Sequence, residues 1–288
     1  MNKNLLCQLV ILFLITQVIG MYTAYALTDA GVSAQLATDN PEDIENSLYL
    51  FVYILVFTGV LLAVIYFVKG RLQYLVFKAF ESLAIFGTSL IVLSALADIP
   101  LFFFAGIENA VSWLVLLLSV GLVALRNIFP QQLWMRNMTS VIAVAGAGSL
   151  IGVSLGVVPI VIFIVLLAVY DLIAVFRTKH MVTLAKAITE KNLSFTYAMP
   201  VKEHKFEMGT GDMVVPLAVA ASVLKFVSFA KPFPFNLLAP SLVLLAALAG
   251  LLLTIDYSSK HIGKALPALP PQTVLMLLAL GIIWLSGI

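Results

Sequence analysis

Charge is scarce in this 288-residue chain: Asp, Glu, Lys and Arg make up only 10% of it, against 62% hydrophobic residues. Mean hydropathy is +1.11. A soluble domain carries about 25% charged residues, so the composition describes a polytopic membrane protein with no room for a separate soluble domain. Cysteine is scarcer still. Cys7 stands alone, which excludes an internal disulfide and a thiolate-built zinc site. Histidine is limited to His180, His204 and His261, all in polar stretches, and these are too few ligands for a metal centre. Neither a metal nor a cofactor is expected. The G-x-S-G serine motif and the H-E-x-x-H metal motif are both missing, which removes two other classes of membrane protease. No basic patch alternates with aromatics, so nucleic-acid binding has no support.

Long apolar runs are what the chain has in abundance. Nine segments meet the roughly 20 apolar residues that a membrane span needs: 4–26, 47–68, 72–96, 99–125, 138–157, 159–177, 212–230, 236–255 and 267–287. Gly156 and Pro159 supply the break between the fifth and sixth. Of the 16 basic residues, 14 fall on one face: Lys3; Lys69, Arg71 and Lys78; Arg126 and Arg136; Arg177, Lys179, Lys186, Lys191, Lys202 and Lys205; Lys260 and Lys264. The other face has Lys231 alone, and its first loop carries Asp29, Asp39, Glu42, Asp43 and Glu45. Positive charge stays inside, which places the N-terminus in the cytoplasm and the C-terminus on the exoplasmic side. The expected fold is an all-α, multi-pass protein of the cell membrane with nine transmembrane helices. It divides into a six-helix part (1–178), a cytoplasmic loop (179–211) and a three-helix part (212–288). Lys3, the first apolar stretch and Ala24-Tyr25-Ala26 also fit a signal peptide with a small-residue cleavage site, although the stretch is long for one.

Ionisable residues inside spans are costly and usually functional. The candidates are Glu81, Asp98, Glu108, Asp171, Asp212, Lys225 and Asp256. Asp98 and Asp256 sit at span ends, where solvent reaches them. Glu81 follows Lys78 by three residues on one helix face, which suits a local ion pair. Glu108 faces the exoplasmic side with no evident task. Lys225 can pair with an interior acid or hydrogen-bond a carbonyl. Asp171, in VLLAVYDLIAVF, has no basic residue within five positions and lies six residues before Arg177, about 9 Å below the helix end at 1.5 Å per residue. Asp212 opens the seventh span from the same face, so consecutive antiparallel helices can bring the two acids to one depth.

Two carboxylates held close in a low dielectric cannot both ionise, so they share a proton. The charged one can activate a water while the protonated one donates to a scissile carbonyl. The same arrangement suits a proton- or cation-coupling site in a transporter or leak channel, and spacing alone does not separate the two. In FEMGTGDMVVP, Gly209 and Gly211 flank Thr210; glycine permits positive φ and close approach of a ligand, and is equally at home in a plain helix-start turn. In GKALPALPPQT, Pro267, Pro270 and Pro271 lack N–H donors, so regular helix is expected only after them, leaving irregular backbone around a cavity. An ordinary helix start with proline in its first turn is the alternative.

Tyr170-Asp171 in YDLIAVF, Gly209-Thr210-Gly211-Asp212 and Pro267-Ala268-Leu269 occur in the order and on the spans of the G-x-G-D intramembrane aspartyl proteases. Across all nine spans the chain resembles an archaeal presenilin homologue in the presenilin/signal peptide peptidase superfamily. YDLIAVF and LPALP are similar to presenilin and GDMVVP to signal peptide peptidase, while the charge count gives the presenilin orientation. The resemblance implies an intramembrane aspartic endopeptidase that cuts transmembrane helices. Asp171 and Asp212 are then the catalytic pair; Tyr170, Gly209, Thr210, Gly211, Pro267, Ala268 and Leu269 shape the active site and seat the substrate. It further implies that substrate helices unwind and add a strand beside the catalytic loop, for which Lys202 to Met208 is the expected receiving stretch.

The loop between the sixth and seventh spans, residues 178 to 211, is far shorter than presenilin's, so autocatalytic maturation and obligate partner subunits are not expected. The expected partners are transmembrane helical substrates and membrane lipid. Gly148, Gly152 and Gly156 form a small-xxx-small ridge that suits close packing inside the bundle or in an oligomer. Prepilin-type peptidases share G-x-G-D but lack the YD motif and the proline-rich start of the ninth span. The alternative function is an acid-coupled transporter or cation leak channel; a transporter is expected to show internal repeats, and none convincingly relates the two halves.

Overall fold

The computed structural model describes residues 3–103, 108–178, 196–201, 204–260 and 267–286. Lys179, His180, Lys186, Lys191, Lys202, His261 and Lys264 fall outside the described residues, as do the side chains of Lys3, Asp98, Glu108, His204, Lys205 and Lys260. The helices are α1 (Lys3–Asp29), α2 (Ile44–Phe67), α3 (Gly70–Phe103), α4 (Glu108–Ile128), α5 (Leu133–Ser154), α6 (Val157–Leu172), α7 (Gly211–Val223), α8 (Leu238–Lys260) and α9 (Leu269–Ser286). Wider π turns extend α6 over Ile173–Thr178 and α7 over Leu224–Ser228. Nine helices among the described residues are long and apolar enough to cross a membrane.

Boundaries differ from the sequence reading where polar residues turn out to be helical. α3 runs on to Phe103 and α4 starts at Glu108, so the third span is longer and the fourth begins later than hydropathy indicates. α3 is 34 residues long, roughly 51 Å at 1.5 Å per residue, so it overshoots a hydrocarbon core of about 30 Å. Gly70 makes the tight turn from α2 possible, with φ +65°, a conformation that side-chain-bearing residues avoid. Glu81 pairs with Lys78 at 2.5 Å as expected, and also with Arg126 Nε at 3.0 Å. Arg126, placed in a loop by hydropathy, is therefore a buried charge tying α4 to α3.

α5 and α7 are the most enclosed spans. Small residues let them touch: a Cβ at Gly148 would lie 2.8 Å from Leu217, and one at Gly152 would collide with the Ala218 carbonyl and the Ala221 methyl. Gly148 and Gly152 thus pack inside the bundle against α7, while Gly156 lies against Glu42. Gly146, near Gly148, faces Thr88 of α3. Polar groups along these contacts find protein partners, as hydrocarbon requires. Ser149 Oγ donates to the carbonyls of Gly20 on α1 and Ala145. Ser222 Oγ donates to Leu155 O at 2.7 Å, and Lys225 Nζ to Val153 O at 2.7 Å, the carbonyl option of the sequence reading. α2 and α4 lie at the periphery against α6 and α3.

Between α6 and α7 the chain forms a hairpin that hydropathy does not show. β1 (Thr196–Val201) pairs antiparallel with β2 (His204–Gly209), Thr196 opposite Gly209 and Ala198 opposite Glu207. The hairpin is docked onto the bundle. Arg136 of α5, 1% exposed, donates to both carboxylate oxygens of Glu207 at 3.1 and 2.8 Å and to the Thr196 carbonyl and hydroxyl. Asn137 acts as a surrogate strand neighbour, its amide giving to Ala198 O and receiving from Ala198 N–H, both at 2.9 Å. Tyr197 is wholly buried, with its hydroxyl 3.1 Å from Thr16 Oγ1 of α1.

Removing one member of a buried ion pair commonly costs about 3–5 kcal/mol. Glu207 keeps 15% side-chain exposure, so Arg136→Ala is expected to cost about 3 kcal/mol, the lower end of that range. The loss is read as a lower unfolding midpoint in detergent. The double variant Arg136→Met, Glu207→Leu should recover most of it; equal loss in both would show that the pair is not what holds the hairpin.

Candidate active site

Asp171 lies one residue before the end of α6, a helix so apolar throughout that this carboxylate is its only charge. It is 9% exposed. Leu269 N–H donates to its Oδ2 at 3.4 Å. Immediately beyond it the helix widens into the π turn, a feature frequent at functional sites. Asp212 is the second residue of α7, delivered by β2 through the Thr210 turn; Thr210 O receives the N–H groups of Met213 and Val214, both at 3.0 Å. A carboxylate there is favoured by the positive end of the helix dipole. Pro216, one turn on within α7, has no N–H to offer the Asp212 carbonyl, so the helix ladder leaves that carbonyl open. α6 packs against α7, so the two carboxylates stand on neighbouring antiparallel helices.

The other expected residues divide. Gly209 ends β2 opposite Thr196, and a Cβ there would be 3.8 Å from Asp212 Oδ2. Gly211 begins α7, is exposed, and would present a Cβ to open space. Positive φ, expected of both glycines, is confined to Gly31 and Gly70 among the described residues. A strand and a helix start use negative φ, so what these glycines contribute is missing bulk. Thr210 is the residue before the helix and caps it with its backbone; its side chain makes no cap bond.

The expectation for the prolines is also corrected. Helix α9 begins at Leu269, with Pro270 and Pro271 inside its first turn. The first four N–H groups of a helix have no acceptor within it, so prolines there sacrifice nothing. Pro267, buried, and Ala268 and Leu269, half-buried, form the approach to that turn, and it is Leu269 that reaches Asp171. Pro267, Pro270 and Pro271 also line a cavity of about 280 Å³ with Leu172, Phe176 and Tyr257, directly beside the π turn. The ring of Tyr170 meets Phe51 of α2 edge-on at 6.2 Å. Of the expected receiving stretch, Lys202 falls outside the described residues and 204–208 belong to β2.

Several residues close to the site had been passed over. Gln17 of α1, 2% exposed, donates from Nε2 to Met213 O at 3.1 Å, bracing the residue after Asp212. Arg136 and Asn137 hold the strand pair that leads to Gly209. A glutamine midway along an apolar span was a visible sign; Arg136 and Asn137 looked like ordinary polar residues at a helix end. Among the described residues no cluster of His, Cys, Asp or Glu could hold a metal ion.

Because a side chain at Gly211 meets nothing, Gly211→Val is expected to leave the unfolding midpoint almost unchanged while obstructing the approach to Asp212. Cleavage of a single-span substrate should fall at least tenfold. Parallel losses of stability and cleavage would assign the glycine a packing role instead.

The family described as signal-peptide peptidase, presenilin aspartyl protease matches residues 10–275. Two solved structures of a presenilin family intramembrane aspartate protease, in C222 and P2 space groups, are similar to the chain at 26% and 27% identity, with TM-scores of 0.64 and 0.66. They cover 94% and 96% of this chain, and the chain covers 94% of each of them. No curated protein matches. Nine helices among the described residues that are long and apolar enough to cross a membrane and a match over nearly the whole length lead to one conclusion: the chain belongs to the signal-peptide peptidase and presenilin family of aspartyl proteases, and is a multi-pass intramembrane peptidase.

Proposed function

We propose that Asp171 and Asp212 are the catalytic dyad of this protease, acting on peptide bonds within transmembrane helices of other membrane proteins. The observation that carries the reading is that two acids stand on consecutive antiparallel helices packed against each other, each at the end where the intervening loop enters. One carboxylate takes a proton from a water as it attacks the scissile carbonyl carbon, and the protonated partner donates to the carbonyl oxygen. Collapse of the tetrahedral species breaks the C–N bond, with a proton passing to the departing nitrogen. The two groups thus exchange roles within one turnover, and neither a metal nor a covalent intermediate takes part. The Leu269 N–H at Asp171 Oδ2 fixes the direction in which that carboxyl faces.

A helical peptide bond is shielded by its own turns, so the substrate must be extended where it is cut, and the hairpin supports a place for it. Ala198 turns its N–H and C=O to Asn137, hence away from β2. In an antiparallel pair this makes Ala198–Glu207 a non-hydrogen-bonded pair, so Glu207 also points its backbone groups outward. The sheet has two strands among the described residues, and the outer edge of β2 runs straight into Gly209 and Asp212. An unwound substrate pairing there by strand addition would lie alongside the acids. The distribution of basic residues supports a cytoplasmic location for this face. A single chain suffices for the chemistry.

Asp171→Asn and Asp212→Asn are each expected to reduce cleavage of a single-span substrate in detergent by roughly 10²–10⁴-fold, the usual worth of general acid–base catalysis. Helical content and unfolding midpoint should be retained. Wild-type cleavage by either variant would remove the dyad assignment. The shared proton also fixes the sign of the pH response: the rate must drop on the alkaline side, where both groups are ionised and no acid is left. A rate still climbing well above neutral pH would point to different chemistry.

A further inference from the structure

Gly209 to Asp212 carry the chain from β2 into α7. Two of these residues are glycines, which cost the most backbone entropy to order, so the place of Asp212 depends on what holds the two ends of the link. α1 holds both. Its buried residues Phe13, Thr16, Gln17 and Gly20 alternate with exposed Leu14, Ile15 and Val18, a spacing of three and four that makes one helix face. On the strand side, Thr16 Oγ1 donates its single hydrogen to Leu12 O at 2.6 Å. It therefore accepts from the Tyr197 hydroxyl at 3.1 Å, and Tyr197 lies opposite Met208, the residue before Gly209. On the helix side, Gln17 Nε2 donates at 3.1 Å to the carbonyl of Met213, the residue after Asp212. One turn further along α1, Gly20 leaves the space that Leu217 of α7 fills.

Two features separate Gln17 from an ordinary packing residue. The first is where it attaches. Pro216 withholds the N–H that would close on the Asp212 carbonyl, so the turn bearing Asp212 is joined to the rest of α7 by one rung fewer. Gln17 grips the carbonyl immediately beyond the missing rung. The second is what the glutamine costs. Gln17 is 2% exposed, and its Oε1 accepts no hydrogen bond among the described residues. A buried acceptor without a donor is destabilising, and more so in hydrocarbon, where no water relieves it. Methionine or leucine would fill the same space without that atom, and Met213 O would keep the N–H that a helix supplies four residues on. Stability alone therefore favours an apolar residue here; the donor is what glutamine adds.

We propose that Gln17 is a positioning residue for the protease reaction. It acts through the Met213 backbone, fixing the first turn of α7 so that Asp212 stays where the scissile bond is presented. Thr16, its neighbour, does the same for the end of the strand pair through Tyr197, so the first helix belongs to the framework of the active site. The effect on the reaction rests on Asp212 being catalytic; the brace on α7 does not.

The test uses full-length Gln17→Met in detergent, or Gln17→Leu should the first not fold, with three readouts: unfolding midpoint, amide hydrogen exchange, and steady-state cleavage of a single-span substrate. The midpoint should match or exceed that of the unsubstituted protein. Exchange in peptides covering Met213 to Val215 should quicken about fivefold, the worth of one net hydrogen bond, while peptides from α5 keep their rates. The kcat should fall about tenfold with KM unchanged, since misplacement by 1 Å can cost on the order of 10²-fold. Unchanged exchange at the start of α7 would overturn the brace. Faster exchange with an unaltered kcat, or a lowered midpoint with an unaltered kcat, would overturn the positioning role and leave packing. Exchange is read without cleavage and serves equally in Asp212→Asn protein, so the brace is tested independently of the proposed dyad; cleavage retained by Asp212→Asn itself is the separate sign that the dyad has failed.

Discussion

In hydrocarbon a polar group keeps its hydrogen bond only if the protein supplies the partner, and this constraint organises most of the molecule. Helices meet it for their own backbones. Side chains meet it by reaching across: Ser149 to Gly20, Ser222 to Leu155, Lys225 to Val153. Buried charges meet it in pairs, Glu81 with Arg126 and Glu207 with Arg136. The two aspartates stand out against this background. Each is placed where the regular ladder fails, Asp171 before a π turn and Asp212 ahead of Pro216.

The hairpin shows how the same constraint can hold a strand pair against a helical bundle. An isolated two-stranded sheet is marginal, so its edge needs partners. Asn137 provides them by imitating a third strand on the β1 side, while the buried Arg136 fixes the register at Thr196 and Glu207. With one edge occupied by a side chain, the other is left facing the route to Asp212. α5 therefore serves two purposes: its glycines admit α7, and its first turn anchors the strand that leads into α7.

The spans were legible because hydropathy accumulates over neighbouring residues, and an α-helix makes its backbone bonds within four of them. Hence the nine helices, the break at Gly156 and the packing use of Gly148 and Gly152 follow from the chain directly. Errors arose where a local rule met a special position. Pro270 and Pro271 were expected to delay the helix, yet lie harmlessly in its first turn. Gly209 and Gly211 were expected to permit positive φ and to leave room for a substrate; neither has positive φ, and a Cβ at Gly211 would meet nothing within 4 Å.

The order of apolar runs, the unequal share of basic residues and the placing of Asp171 and Asp212 at the ends of consecutive apolar runs are properties of the chain itself, and they delimit the class of protein and the acids proposed to react. Tertiary structure alone decided that Arg136 meets Glu207, that Asn137 meets Ala198, that Gln17 meets Met213 and that Leu269 meets Asp171. These partners are 61 to 196 positions apart in sequence. No local periodicity encodes such distances, because they depend on how nine helices pack and on which polar groups remain to be satisfied once they have.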